Sequence, residues 1–260
     1  MLYGQPTIFS IAQHVKMSFR IKLIEKLINI NENLFFYPNL KRIYKDITSS
    51  PSDLLIIFDV GANKGQSIDF FSKLSVRSHI FAFEPNPKLF KYLKNKYSSR
   101  QDITLNKLGI SNVNGQLELN ETVTDLTSTF EELNYQSKYL EYKATVLGVK
   151  KENIIKSKYL VTVTSLSNYI RLNSIKKIDI LKLDVEGHEL NCLLGLFDAD
   201  QINVEYIQFE SHNDDMYVNK NSQVEIQFLL KKNGFKLFGK IKHGFGDFYE
   251  VIYRKSDLSD

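Results

Sequence analysis

The 260-residue chain carries a single cysteine, Cys192, which excludes an internal disulfide and any cysteine-rich zinc site and fits a reducing compartment. No apolar run approaches the roughly 20 residues of a membrane-spanning helix. The N-terminus has neither a signal-peptide h-region nor a small-residue cleavage site, so a cytoplasmic protein is expected. No two-histidine spacing such as H-E-x-x-H occurs, and no metal is expected. The G-x-G-x-x-G turn of dinucleotide-binding folds is missing, as are internal repeats and low-complexity tracts. Charge of one sign is scarce too. A net +4 permits a basic face but does not by itself argue for nucleic acid, and no dense arginine patch occurs.

What is present is ordinary for a globular chain: 43% hydrophobic residues and 25% charged ones, enough to bury a full core as one domain. Residues 1–52 read as a mostly helical extension. Met17, Ile21, Ile24 and Ile28 recur at helical spacing, and Leu23 and Leu27 widen the stripe. Lys16, Arg20, Lys22 and Lys26 make the other side basic. Such a helix can touch an anionic membrane surface weakly through 16–30. Packing on the domain with a solvated outer face is the reading preferred here. Pro51-Ser52-Asp53 then marks a boundary, with the main domain over 53–260.

From Leu54 onward strands and helices alternate. Strands are predicted over about 54–60, 79–83, 103–110, 160–163, 178–184, 204–210, 235–238 and 248–253. Asn114-Gly115 reads as a hairpin turn. Helical patterns follow the first two strands, another opens near Glu189, and one spans about 224–232 before Asn233-Gly234, where glycine suits a C-cap. Residues 121–157 are rich in Thr, Glu, Asn, Lys and Tyr without a sustained period, and read as an insertion or lid. The pattern predicts an α/β fold: one mostly parallel, doubly wound sheet with helices on both faces and a C-terminal antiparallel strand pair.

In such a sheet the ligand sits beyond the carboxyl ends of the strands, so the residues ending each strand are the candidates. The first strand ends in Ile56-Ile57-Phe58-Asp59-Val60-Gly61-Ala62-Asn63-Lys64-Gly65. Asp59, Gly61, Asn63 and Gly65 form an acidic, glycine-opened turn. A pyrophosphate there would be repelled by Asp59. The positive ammonium and sulfonium of S-adenosyl-L-methionine would be welcomed, and Asp59 is placed near the methionine end. Glu84 ends the second strand and suits both ribose hydroxyls. Asn86, between two prolines, either borders the same pocket or is turn chemistry. Gly109 and Ser111 are expected to border the adenine.

The later strand ends in Lys182-Leu183-Asp184-Val185-Glu186-Gly187-His188-Glu189. Lys182 and Asp184 share one face of the strand, and a buried charge there demands a partner. Asp184, Glu186, His188 and His212 are the candidates facing an acceptor. His188 has the side-chain chemistry best suited to a base near neutrality, or else caps the next helix. His212 with Asp214 could orient a base or, with Asp184 or Glu186, hold a divalent cation.

These motifs together resemble the FkbM family of S-adenosylmethionine-dependent methyltransferases over about residues 54–253. The resemblance rests on the block 59–65, on Phe83-Glu84-Pro85-Asn86-Pro87, on Gly109-Ile110-Ser111 followed by Asn114-Gly115, and on the block 178–189. Gly234-Phe235 also fits. The resemblance implies a Rossmann-like domain, most often an O-methyltransferase acting on sugars, polyketides or other secondary metabolites. Residues 59–65 and Glu84 match the family's donor-binding positions, and Asp184 and Glu186 its acidic block. The reading is O-methylation of a hydroxyl on a small-molecule or glycan acceptor. An RNA methyltransferase is one rival, suggested by a pI near 8.8, although an Asn-Pro-Pro-Tyr motif is absent. A non-catalytic donor-binding scaffold is another. An NAD-dependent oxidoreductase is disfavoured by Asp59.

Overall fold

In the computed structural model the apolar runs become the strands of two sheets, with helices laid over both faces of the larger one. The structure describes residues 23, 26–27, 30–48, 54–74, 77–123, 127–198, 202–212, 215–218, 222–242 and 248–256. The stripe expected over 17–28 therefore lies outside them, apart from isolated positions.

The chain runs through a π-helical turn (Glu32–Phe36), α1 (Tyr37–Ile43), α2 (Lys45–Thr48), β1 (Leu55–Val60), α3 (Gln66–Phe71), β2 (Ser78–Phe83), α4 (Pro87–Lys96) and β3 (Ile103–Asn106). Next come β4 (Gly109–Ile110), β5 (Gly115–Thr122), β6 (Ser128–Thr129), α5 (Lys138–Leu147), β7 (Ile155–Thr164) and α6 (Leu166–Leu172). The last elements are β8 (Lys177–Leu183), α7 (Glu189–Phe197), β9 (Asn203–His212), α8 (Ser222–Lys232), β10 (Phe235–Lys242) and β11 (Phe248–Lys255).

The seven-stranded sheet has the order β10-β11-β9-β8-β1-β2-β3. Its β1, β2, β3, β8 and β9 pair in parallel, whereas β11 runs against both β9 and β10. This is the doubly wound architecture with a terminal antiparallel pair that the alternating pattern predicts. The order steps outward from β1 in both directions, which opens a crevice at the carboxyl ends of β1 and β8.

Alternation along each central strand feeds two cores, because successive side chains point to opposite faces. Phe58, Val60, Phe83, Leu181, Leu183, Ile207 and Phe209 pack under residues of α6, α7 and α8 such as Leu166, Leu193 and Ile226. Ile57, Ile80, Ala82, Ile180, Tyr206 and Ile252 face the other way, under Leu40 and Tyr44 of the N-terminal helices and Ile68, Phe71 and Leu93 of α3 and α4. Full burial of side chains this size is worth about 1.5–3 kcal/mol each. α4 starts where Asn86 caps it, the side-chain oxygen accepting from the amides of Lys88 and Leu89 at 2.9 and 3.4 Å.

The smaller sheet has the order β4-β7-β5-β6 and corrects one local expectation. The predicted strand 103–110 is divided: β3 stays in the large sheet while β4 joins the small one. Asn114-Gly115 is not a hairpin turn, because β4 and β5 do not pair but flank β7 on its two sides. Asn114 instead fastens the corner, its Oδ1 accepting from Thr164 Oγ1, the Ser165 amide and Asn168 Nδ2 at 2.7, 3.1 and 3.2 Å. Residues 121–157 hold the end of β5, β6, α5 and the start of β7. This segment is joined to the chain after β9: Leu133 bridges Tyr217, the Asn134 amide donates to Met216 O at 2.8 Å, and Ser137 Oγ donates to Asp215 Oδ1 at 2.5 Å. No helix of the described residues is long and apolar enough to cross a membrane.

Candidate active site

The turn after β1 is built by backbone geometry that few side chains tolerate. Gly61 and Gly65 have φ of 85° and 82°, and Asn63 has 48°. A Cβ at Gly61 would lie 1.9 Å from the carbonyl oxygen of Asp184, so glycine is what lets the ends of β1 and β8 approach each other. Gly65 serves packing rather than the cleft: a Cβ there would meet the Tyr97 hydroxyl at 2.3 Å, and that hydroxyl donates to Gly65 O at 2.8 Å.

A cleft partly open to solvent lies over the strand ends. Gly61, Asn63, Glu84, Gly109, Asp184 and Glu186 all line it, so those six of the expected residues are brought together. Its apolar wall is Leu89, Leu108, Ile110, Leu119, Phe130 and Val185. Among the described residues its lining contains three carboxylates and no lysine, arginine or histidine. That charge pattern repels a pyrophosphate and suits a ligand with an ammonium and a sulfonium, so the residues present fit S-adenosylmethionine.

Glu84 is held rigidly. Its Oε2 accepts from the Asn63 amide and its Oε1 from the Asn86 amide, both at 2.8 Å. Burial pushes its pKa from 4.5 up to about 7, against the pull of those two amides and with a smaller contribution from Asp59 and Asp184. Each carboxylate oxygen keeps a further lone pair for a ligand hydroxyl.

Asp59 sits beneath the cleft rather than in it, with no surface exposed. Its Oδ2 accepts from Ser67 Oγ at 2.7 Å. Its Oδ1 has no hydrogen-bond partner among the described residues, and Lys182 Nζ is 3.9 Å away. Burial raises the Asp59 pKa, and Lys182 and Ser67 oppose the rise. Register explains the pairing: Asp59 is opposite Lys182, and Lys182 opposite Gln208, on the same face of three adjacent strands. Lys182 Nζ also donates to Asp184 Oδ2 at 2.8 Å. Burial alone would lower the Lys182 pKa, but Asp184, Asp59 and Glu250 outweigh it and hold the ammonium well above its ordinary value. The mutually satisfied lysine–acid pair anticipated for this strand is thus present, and it joins the first strand's acid to the cleft's.

Glu186 has a φ of 52°, and its carbonyl accepts from Thr129 Oγ1 at 2.7 Å while Tyr217 OH donates to its Oε2 at 3.2 Å. His188 is 5% exposed and lies outside the cleft lining. Its Nδ1 meets Glu131 Oε1 at 2.6 Å and its Nε2 meets Ser111 Oγ at 2.9 Å. The base role expected for it therefore finds no ring nitrogen open to the cleft. Ser111 is correspondingly a buried partner of His188 rather than part of the lining. Asn86 is engaged as the cap of α4, and its Nδ2 donates to Glu121 Oε1 at 3.3 Å. His212 ends β9 opposite Phe248, and its side chain, like Asp214, lies outside the described residues. Sequence reasoning missed Ser128 and Phe130, which reach the cleft from the segment without periodicity.

Known proteins similar to this chain include methyltransferases. The family model described as the methyltransferase FkbM domain matches residues 59–237. The chain is 25% identical over 158 residues to the hexuronic acid methyltransferase AglP of Haloferax volcanii, which covers 60% of this chain and 56% of that one. It is also 25% identical over 159 residues to methyltransferase 1 of Beauveria bassiana, covering 59% of this chain and 62% of the relative. The matches thus span less than two thirds of either relative's length. Among solved structures, a putative rRNA-methylase from Clostridium thermocellum superposes with a TM-score of 0.47 at 10% identity, covering 84% of this chain and 96% of that one.

Proposed function

The chain belongs to the FkbM family of methyltransferases, and from that premise we propose that it methylates a hydroxyl on a sugar or secondary-metabolite acceptor. S-adenosylmethionine is the cofactor of this fold and family, and when bound it supplies an electrophilic methyl group on a sulfonium. In this reading Glu84 accepts the ribose hydroxyls, the turn at Gly61 and Asn63 gives the methionine end close access to backbone, and Asp59 contributes negative potential from below. Asp184, whose carboxylate is directed by Lys182 at 2.8 Å, accepts the hydrogen bond of the acceptor hydroxyl and takes its proton as the bond to carbon forms. Glu186 binds a neighbouring hydroxyl. Alignment of the oxygen with the methyl carries most of the acceleration.

The observation that carries this choice is the cleft lining, which among the described residues has carboxylates and no cation. A neutral polyhydroxyl acceptor can enter it, whereas an RNA backbone would bring phosphates past Asp184 and Glu186 without a compensating lysine or arginine. The name of the Haloferax volcanii relative supports a sugar acceptor, although a hexuronate carries a negative charge of its own and lies outside the argument from neutrality.

The test is label transfer from S-adenosylmethionine to a panel of hexuronic acids, neutral sugars and RNA. Transfer to a sugar hydroxyl is expected, with Asp184→Asn lowering turnover at saturating donor by about 10²- to 10⁴-fold. Transfer to RNA alone, or donor binding with no acceptor methylated in any class, would overturn the proposal.

A further inference from the structure

His188 is buried beside the cleft, yet the chemistry proposed for the cleft does not use it. Its two ring nitrogens tie together three segments that are remote in sequence: Ser111 after β4, Glu131 after β6, and the turn before α7. Between the first two stands Phe130. The Phe130 ring packs against the His188 ring with centroids 5.1 Å apart, and a Cβ added at Gly109 would fall 2.7 Å from Phe130 Cζ. Thr129, one residue earlier, accepts from the Glu131 amide at 2.9 Å and donates to the Glu186 carbonyl at 2.7 Å. Phe130, Gly109 and Glu186 all line the cleft; His188 does not.

We propose that His188 is a positioning residue that, through Glu131, holds the Phe130 ring as the aromatic wall of the donor site. The inference rests on the reading that this cleft binds S-adenosylmethionine. Asn191 adds to the node, its Nδ2 donating to Glu131 Oε1 at 3.3 Å and lying 3.2 Å from His188 Nδ1, so both ring nitrogens are engaged by protein groups. A ring clamped on both nitrogens cannot rotate, and the Phe130 ring packed against it at a tilt of 57° is confined between imidazole and the Gly109 backbone. Phe130 then offers a preorganised apolar face to the planar heterocycle of the donor, at an entropic cost already met in the free protein. Gly109 is glycine on this account because the ring occupies the space of a Cβ.

The test is calorimetric titration of S-adenosylmethionine into the wild-type chain and into His188→Ala, Glu131→Ala, Glu131→Gln, Phe130→Ala and the His188→Ala/Phe130→Ala pair. His188→Ala and Glu131→Ala are each expected to weaken donor binding about tenfold, while Glu131→Gln, which keeps an acceptor oxygen for Nδ1, stays near wild type. In the Phe130→Ala background the His188 substitution should add less than about a twofold loss, because the residue through which it acts is gone. Additive losses, or no loss at His188 and Glu131, would overturn the inference. If His188→Ala does not fold, Glu131→Ala and Glu131→Gln decide by the same criterion. Failure of the wild-type chain itself to bind the donor would instead sink the reading of the cleft.

Discussion

Raising the pH from about 5 to 8 is expected to destabilise the donor-free protein through Glu84. The group is 5% exposed, and its pKa is raised from 4.5 to about 7. Between those values the folded state holds a proton that the unfolded state has released, so stability falls as pH rises. The contribution is fully present below 4.5 and lost as the pH passes about 7. At 1.36 kcal/mol per pH unit the difference amounts to roughly 3 kcal/mol. Glu84→Gln removes the titration. Its carbonyl oxygen can replace one acceptor, but its amide group faces the other backbone N–H, so one of the two 2.8 Å bonds is lost. That loss costs about 1–3 kcal/mol and does not depend on pH. The signature is therefore the slope and not the level.

The assay is urea unfolding of wild type and Glu84→Gln across this range, with donor titrations at the same pH values. The difference in unfolding free energy should change by about 3 kcal/mol in favour of the variant as pH rises. A cationic donor prefers the ionised carboxylate, so wild-type affinity should weaken about tenfold per pH unit below about 7 and the variant's should stay flat. The variant should also bind the donor about 1–3 kcal/mol more weakly at high pH, having lost acceptors for the ribose. Parallel pH profiles for the two proteins would refute the reasoning.

Two further substitutions probe the frame of the site. Gly61→Ala, placed at a φ of 85° with its Cβ 1.9 Å from a backbone oxygen, should destabilise by at least about 3 kcal/mol in urea melts; a variant within 1 kcal/mol of wild type would disprove the close approach of β1 and β8. Lys182→Met leaves the fully buried Asp59 without its cation and should cost about 3–5 kcal/mol, much of it recovered by adding Asp59→Asn. A neutral single variant, or a double variant no better than the single, would contradict the pairing.

The parallel strands were legible because a strand buried on both faces leaves a near-continuous apolar run, as in Leu55-Ile56-Ile57-Phe58. Their carboxyl ends were legible for the same reason, and with them Glu84, Asp184 and the glycine turn. Less visible were features set by partners distant in sequence. Asn114-Gly115 has hairpin chemistry, but the choice of β7 as the partner of both β4 and β5 is tertiary. The engagement of His188 depends on Glu131, 57 positions earlier, in a stretch whose side chains follow no period. Phe130 was hidden there too. α6 was overlooked although a signal existed: Ser165 caps it, its Oγ accepting from the Asn168 amide at 3.2 Å, and Leu166, Tyr169 and Ile170 fall at helical spacing.

The distribution of charge around β1 and β8 bears on turnover as well as on binding. Lys182 is the cation nearest the cleft's Asp184, yet it lies below the floor, bound to Asp184 and beside Asp59. The cleft itself therefore presents carboxylate oxygens and not the ammonium. A sulfonium entering it would be favoured by Glu84, Asp184 and Glu186 acting together. Methyl transfer removes that positive charge from sulfur, so the same carboxylates hold the demethylated product less tightly than the donor. A cleft lined by lysine would reverse the preference and retain the product. With S-adenosylmethionine bound as proposed, these acids would favour exchange of spent donor for fresh. The buried Lys182 makes that possible by keeping Asp59 and Asp184 close together without placing a positive charge in the path of the ligand.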